Sequence, residues 1–345
     1  MIVPEYWAEA KDRFTNEQVD GKKGSRIIRR FGWSNDSQAA AQTHAESRVA
    51  EAIDRLRSGE SVLIREPKVA YNGADGLPIR EEVIERLEVG TPHEIVLTRN
   101  AYGSICLNTP NVLFADVDAP EPNSCLIYLA SFLILFIGLF IAAFRWQIEN
   151  AFWMVLFAAM VGSAIVGSLV HHAMSWYRGS PKQHARKRIE TFARSHPDWS
   201  IRLYETPNGW RALVTHQTFD PRSDDVRGFF EDIGTDPVYA RMCFNQNCFR
   251  ARVTPKPWRT NMSTPSRLAG GVWPVAPERI NERREWVRRY DRARAGYSSC
   301  RYVATLGRGG GTDTRTLPID RSSPIAAVQR IHDDWSDAFG GKPIA

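Results

Sequence analysis

Cysteine is scarce in this chain and follows no pairing pattern: five residues in 345, Cys106, Cys125, Cys243, Cys248 and Cys300, odd in number and widely scattered. A disulfide scaffold is not indicated. The segment "CFNQNC" has neither a second CxxC nor a histidine pair beside it. Neither zinc nor haem is therefore expected, and reduced thiols in a cytosolic setting are. The glycines of "GRGGGTDT" lack the following Lys-Ser/Thr of a P-loop. The opening "MIVPEYWAEAKDRF" lacks a basic region followed by an apolar core, so no cleavable signal peptide is expected.

Charge is absent from two long stretches, Cys125 to Phe144 and Ala151 to Val170. Each has about the 20 residues that cross a ~30 Å hydrocarbon core as a helix. Only "RWQIEN" separates them, so spans of about 125–144 and 151–171 are expected to form a tight antiparallel hairpin. Small residues in the second, Gly162, Ser163, Ala164, Gly167 and Ser168, allow close helix approach. Trp146, Trp153, Trp176 and Tyr177 sit where interfacial aromatics belong. After the second span come Arg178, Lys182, Arg186, Lys187 and Arg188. The positive-inside rule places that flank in the cytoplasm, and a hairpin returns the chain to its starting side. The expectation is an inner (plasma) membrane protein with two spans and both soluble parts cytoplasmic. A mean hydropathy of −0.36 fits a membrane part that is small.

The net charge of +6 conceals an asymmetry. Residues 1–123 carry 15 Lys/Arg against 20 Asp/Glu, whereas residues 178–345 carry 29 against 18. The basic half can face the phosphates of nucleotides, nucleic acid or anionic lipid, attract the acidic half, or be simply solvated.

Periodicity predicts an α+β fold: a mixed cytoplasmic sheet with flanking helices, interrupted by the two-helix transmembrane hairpin. Residues 1–123 form a helix-rich N-terminal part ending in strands, 124–172 the hairpin, and 173–345 a basic α+β part packing with residues 60–120. A long helix is expected in "SNDSQAAAQTHAESRVAEAIDRLRSG", capped by Ser34 or Asp36 and ended by Gly59. "SVLIRE", "HEIVLTR" and "NVLFADVD" read as strands, with "PIREEVIERL" as a helix. Beyond the spans, "SPKQHARKRIETFARSHPD" reads as a helix capped by Ser180, and "WSIRLYETPNGWRALVTH" as a β-hairpin turning at Asn208-Gly209. Helices follow in "DPRSDDVRGFFEDIG", "DPVYARMC", "PERINERREWVRRYDRAR" and "SPIAAVQRIHDDWSDAF", and strands in "CFRARVTP" and "CRYVATLG".

Three groups of residues carry candidate chemistry. Asp116 and Asp118, two apart on an extended chain, share a face and can both reach one divalent ion, for which Mg²⁺ or Mn²⁺ is the chemical match. The alternative is that Asp118, before Ala-Pro, begins a turn. His216 ends a strand with Arg211, a candidate phosphate or nucleotide contact, five residues before it; His216 contacts a phosphate, assists proton transfer, or is structural. Arg250 and Arg252, followed by Lys256, Trp258 and Arg259 in a proline-stiffened loop, form a cationic set beside an indole that suits a phosphate and a base. Alternatively these arginines pair with Asp224, Asp225, Glu231 and Asp236.

The order of "LFADVD" and "YETPNGWRALVTH" resembles the archaeo-eukaryotic primase and primase-polymerase superfamily over residues 108–259. The resemblance implies Asp116 and Asp118 as metal ligands, His216 as a nucleotide contact, and Asp225 or Asp236 as a third acid. It also implies nucleotidyl or phosphoryl transfer. A glycosyltransferase using its DxD on a nucleotide-sugar is a variant. The other class of reading is a non-enzymatic membrane adaptor that binds a protein partner or anionic lipid through its basic half.

Overall fold

The chain opens with a long antiparallel hairpin, β1 (Tyr6–Val19) against β2 (Lys22–Ser34), and so does not begin helix-rich. In the computed structural model, residues 1–19, 22–66, 78–88, 94–119, 125–148, 151–263, 273–308 and 323–345 are described. Ala8, Ala10 and Ile28 face α1 (Gln38–Arg57), whose Ala41, Ala45, Val49, Ala52 and Ile53 recur at helical spacing to form the buried stripe. The helix lies so close that a Cβ on Gly32 would collide with its backbone at Ala41 and Ala45. The cap is Ser37 rather than Ser34 or Asp36: its hydroxyl accepts from Ala40 N at 3.1 Å.

Two four-stranded antiparallel sheets follow. One has the order β3 (Glu82–Glu88), β4 (Glu94–Arg99), β5 (Ile105–Thr109), β9 (Phe249–Arg252). The other has the order β10 (Arg301–Gly307), β7 (Ser200–Thr206), β8 (Gly209–Val214), β6 (Phe114–Asp118). The β6 and β7 strands thus share a sheet with β8 between them. Leu97, Leu107, Phe114, Leu213 and Phe249 meet in one core, so chain from before and after the apolar hairpin builds a single hydrophobic centre. Ile189 and Phe192 of α4 (Pro181–Ser195) and Phe229 of α5 (Asp224–Ile233) join the same core. The remaining helices are α6 (Pro237–Gln246), α7 (Ile280–Arg294) and α8 (Pro324–Ser336).

Several local expectations are corrected. "PIREEVIERL" supplies β3, because strand pairing and ion pairs decide its conformation. Glu81 meets Arg250 at 2.6 Å and Glu82 meets Arg283 at 2.7 Å, so acids that look like a solvated helix face neutralise buried arginines. "SVLIRE" contributes only the isolated bridge between Arg29 and Arg65. The β7–β8 loop is Pro207-Asn208, since Thr206 pairs with Gly209. A proline at the first turn position fixes a negative φ, which a type I′ turn does not permit. Gly209 instead begins β8, where a Cβ would strike the Val117 carbonyl. The cap expected at Ser180 forms, and Ser223 and Asp236 cap α5 and α6. The glycine-rich stretch from residue 309 lies outside the described residues.

The chain between β6 and α4 contributes α2 (Cys125–Arg145) and α3 (Ala151–Arg178). Residues 125–145 and 151–174 are two helices long and apolar enough to cross a membrane. They pack on each other through small residues: Gly162 abuts Leu135 and Gly167 abuts the Tyr128 ring. Leu126, Leu133, Ile134, Ile141, Phe157 and Leu169 on their other faces are exposed among the described residues.

Candidate functional site

The site is built at the C-terminal end of β6. Asp116 and Arg211 stand directly opposite each other on β6 and β8, and cross-strand partners on one face are close enough to pair. The guanidinium donates to both carboxylate oxygens, Nε to Oδ1 at 2.7 Å and Nη2 to Oδ2 at 3.0 Å. Its Nη1 donates to the Arg252 carbonyl at 2.8 Å. Burial alone would discharge Asp116, but the charge and hydrogen bonds of Arg211 override it and hold the carboxyl below its usual range.

Asp118 lies two residues further on, exposed, and among the described residues no hydrogen bond reaches its carboxylate. Partial burial, Asp116 and Asp236 push its carboxyl above the ordinary aspartate range. Asp236 is fixed by two bonds: its N–H donates to the Asp116 carbonyl at 2.9 Å, and its Oδ1 accepts from Val238 N at 3.1 Å as the cap of α6. Three acids from two elements are therefore gathered, and the charge on Asp118 is opposed by the other two and favoured by Lys256 and Arg252.

Opposite them is a set of cations. Arg252 ends β9, and Lys256 and Arg259 lie in the loop beyond it, all three half-buried. Burial lowers Lys256, and Arg252 and Arg259 lower it further. Arg259 is lowered by burial and by Arg252, and it is held in place by donating to Asn208 Oδ1 at 2.7 Å. Trp258 stands between them, 44% exposed, with Lys256 Nζ 5.3 Å from its ring centre and Tyr102 edge-on at 5.5 Å.

Asp116, Asp118, Asp236, Arg211, Arg252, Lys256, Trp258 and Arg259 are thus brought together. Three other candidates are elsewhere. His216 lies five residues beyond Arg211, about 16 Å along an extended chain. There its Nδ1 accepts from Ser200 N at 3.3 Å and its ring packs on Trp199 at 4.8 Å. Burial lowers it from the usual histidine range. Asp225 is exposed in the first turn of α5, where it faces the helix N-terminus. Arg250 is consumed by Glu81 at 2.6 Å.

Behind the site lies a buried polar chain that motif reading missed. Arg211 Nη1 is 3.4 Å from His332 Nε2, and His332 Nδ1 is 3.1 Å from Asp333 Oδ1. Asp333 accepts from Tyr204 OH at 2.7 Å and from Arg202 Nη2 at 2.8 Å. The Nδ1–H tautomer of His332, donating to Asp333, leaves Nε2 free to accept from Arg211. The signal lay in α8, where Val328, His332 and Ser336 recur every four residues as its buried stripe.

The fit to a divalent ion follows from the free oxygens. Arg211 occupies both oxygens of Asp116 and the α6 cap occupies one of Asp236, leaving Asp118 and the second Asp236 oxygen. Among the described residues no group of three His, Cys, Asp or Glu has the arrangement to hold a metal by itself. Mg²⁺ commonly takes one or two carboxylates and completes its shell with phosphate oxygens and water, and the residues present fit that mode alone. No family model, curated protein or solved structure matches the chain.

Proposed function

We propose that this chain is a membrane-anchored cytoplasmic domain that takes a phosphorylated ligand together with Mg²⁺ or Mn²⁺, with phosphoryl or nucleotidyl transfer as the reaction class. One observation carries the reading: Asp118 and an Asp236 oxygen left free by the α6 cap are gathered with the half-buried Arg252, Lys256 and Arg259, acids and cations in one site. Partial burial, Asp116 and Asp236 oppose the charge on Asp118, and burial and Arg252 oppose it on Lys256 and Arg259, which the attraction between the two sets offsets only in part. A divalent cation relieves the acids and a phosphate relieves the bases, so the two ligands together satisfy what neither satisfies alone.

In this reading Arg252, Lys256 and Arg259 bind and orient the phosphate, Asp118 and Asp236 hold the cation, and Trp258 offers an aromatic face to whatever carries the phosphate. A bound divalent ion would supply charge neutralisation at the phosphate oxygens. Arg211 positions Asp116 instead of contacting ligand. The bilayer placement rests on the length of α2 and α3 and on their uncovered apolar faces. Their orientation rests on Arg186, Lys187 and Arg188 beyond α3. The primase-like order of motifs agrees with the acidic pair and a third acid at Asp236, but His216 stands apart.

The test is equilibrium dialysis of radiolabelled pyrophosphate against the full chain in non-ionic detergent, with and without Mn²⁺. Saturable binding that needs Mn²⁺ and is lost in Asp118→Asn and in Lys256→Ala supports the reading. Binding in neither condition by folded protein rejects it and leaves the non-enzymatic adaptor.

A further inference from the structure

We infer that the phosphate taken by this site is carried on a membrane lipid. The inference rests on the phosphate-and-metal reading above and on α2 and α3 lying in a bilayer, and it adds the source of the ligand.

Two short tethers hold the site at the bilayer. Asp118 ends β6 seven residues before Cys125 begins α2, a separation the chain spans in at most about 25 Å. On the return, Lys182 follows the last residue of α3 by four, at most about 14 Å of chain. Its ammonium donates to the Thr206 carbonyl at 3.1 Å and to Glu205 at 2.6 Å, anchoring the β7–β8 turn to that point. The turn is in turn part of the site. The Asn208 carbonyl accepts from Ala119 N at 2.8 Å and its side chain accepts from Arg259 at 2.7 Å. The edge that presents Asp118, Arg259 and Asn208 is therefore the edge nearest the feet of both apolar helices, and the antiparallel hairpin puts both feet on one side.

What this edge displays matches an interface. Trp258 is exposed beside Lys256 and the Tyr102 ring, the combination of indole and ammonium that settles at the level of lipid headgroups. A phosphate on a lipid places its charge among Arg252, Lys256 and Arg259 while its acyl or isoprenoid portion leaves past Trp258 toward the hydrocarbon. A soluble phosphate uses the same cations but gains nothing from the tethers, and only one that carries a base, as ATP does, can also stack on Trp258. An anionic leaflet also concentrates cationic surfaces within roughly a Debye length of itself, so the same edge is drawn to the membrane plane.

The experiment measures binding of dioctanoyl phosphatidic acid, glycerol 3-phosphate and ATP to the full chain in non-ionic detergent with Mg²⁺. The comparison is between wild type, Lys256→Ala and Trp258→Ser, with near-ultraviolet circular dichroism confirming the fold. The inference predicts phosphatidic acid bound at least about tenfold tighter than either soluble phosphate, the ordinary worth of a partly buried apolar contact. It also predicts that Lys256→Ala weakens all three, while Trp258→Ser weakens the lipid most and narrows its advantage. ATP binding as tightly as the lipid overturns the inference and leaves the phosphate reading intact. Lipid binding indifferent to both substitutions also overturns it, because the lipid then enters the micelle without using this site. Binding of none of the three by folded protein overturns both readings.

Discussion

Replacing Asp116 by alanine strands Arg211. That guanidinium is 2% exposed and spends two of its hydrogen bonds, at 2.7 and 3.0 Å, on the lost carboxylate. The Arg252 carbonyl at 2.8 Å and the His332 nitrogen at 3.4 Å remain, neither of them charged to balance it. Breaking a buried pair by removing one partner costs about 3–5 kcal/mol, because the survivor stays desolvated and unpaired. At roughly 2–4 °C per kcal/mol for domains of this size, the melting temperature falls by about 6–20 °C. Asp118→Ala removes an exposed carboxylate that its neighbours repel, and surface changes of that kind stay within about 0.5 kcal/mol. The double variant Asp116→Leu/Arg211→Met replaces the pair with apolar volume and recovers most of the loss. Thermal unfolding followed by circular dichroism at constant detergent concentration reads all three. An Asp116→Ala protein melting within about 2 °C of wild type, or no more affected than Asp118→Ala, would refute the assignment of Arg211 to Asp116.

Other outcomes are expected from the same geometry. Because the Asp118 carboxyl is raised in the folded state, its charge opposes folding above that point and the opposition disappears as the pH falls through it. Asp118→Asn should therefore be more stable than wild type at neutral pH, with the difference closing in acid; a gap that widens in acid contradicts the repulsion of Asp118 by Asp116 and Asp236. Metal-dependent ligand binding by wild type should likewise fail at a pH above the ordinary aspartate value, which a pH series of the pyrophosphate dialysis measures. Gly209→Ala drives a methyl against the Val117 carbonyl on the neighbouring strand and should cost about 1–3 kcal/mol in chemical denaturation, while Gly228→Ala, in open space on α5, should cost nothing. Cys106, Cys243, Cys248 and Cys300 are buried, so native-state labelling reports only on Cys125 and cannot assign sides. Arg288→Cys, on an exposed position 73% open, supplies the missing reporter; modification by an impermeant maleimide in intact cells would place that domain outside the cytoplasm.

Local signals served well where one segment determines its own conformation. Ser180-Pro181 announces α4, and the Asp236-Pro237 pair announces α6, because caps and proline act within a turn. Two charge-free runs announce α2 and α3 for the same reason. The misreadings are those where a distant partner decides. "EEVIERL" becomes β3 because its acids meet Arg250 and Arg283, more than 160 residues away in the chain. The N-terminal strands form because each is the other's partner and α1 covers them. At the site, the Asp116/Asp118 spacing and the Arg252–Arg259 segment were legible, since extended chain and proline-stiffened loop keep neighbours together. That the two groups face each other was not, because β9 joins one sheet and β6 the other. Nor was the use of Arg211: cross-strand register, invisible in a linear sequence, turns a candidate phosphate contact into the clamp on Asp116.

The central claim is that cation and phosphate are bound as a pair by charges of opposite sign that neither ligand satisfies alone. Its most direct test is the thermodynamic coupling between Mn²⁺ and pyrophosphate on the full chain in detergent, obtained by calorimetric titration of each ligand in the absence and presence of the other and corrected for their association in buffer. The account predicts positive coupling of at least about 1–3 kcal/mol, falling toward zero in Asp118→Asn. Independent binding of the two ligands, or coupling unchanged by that substitution, would contradict it.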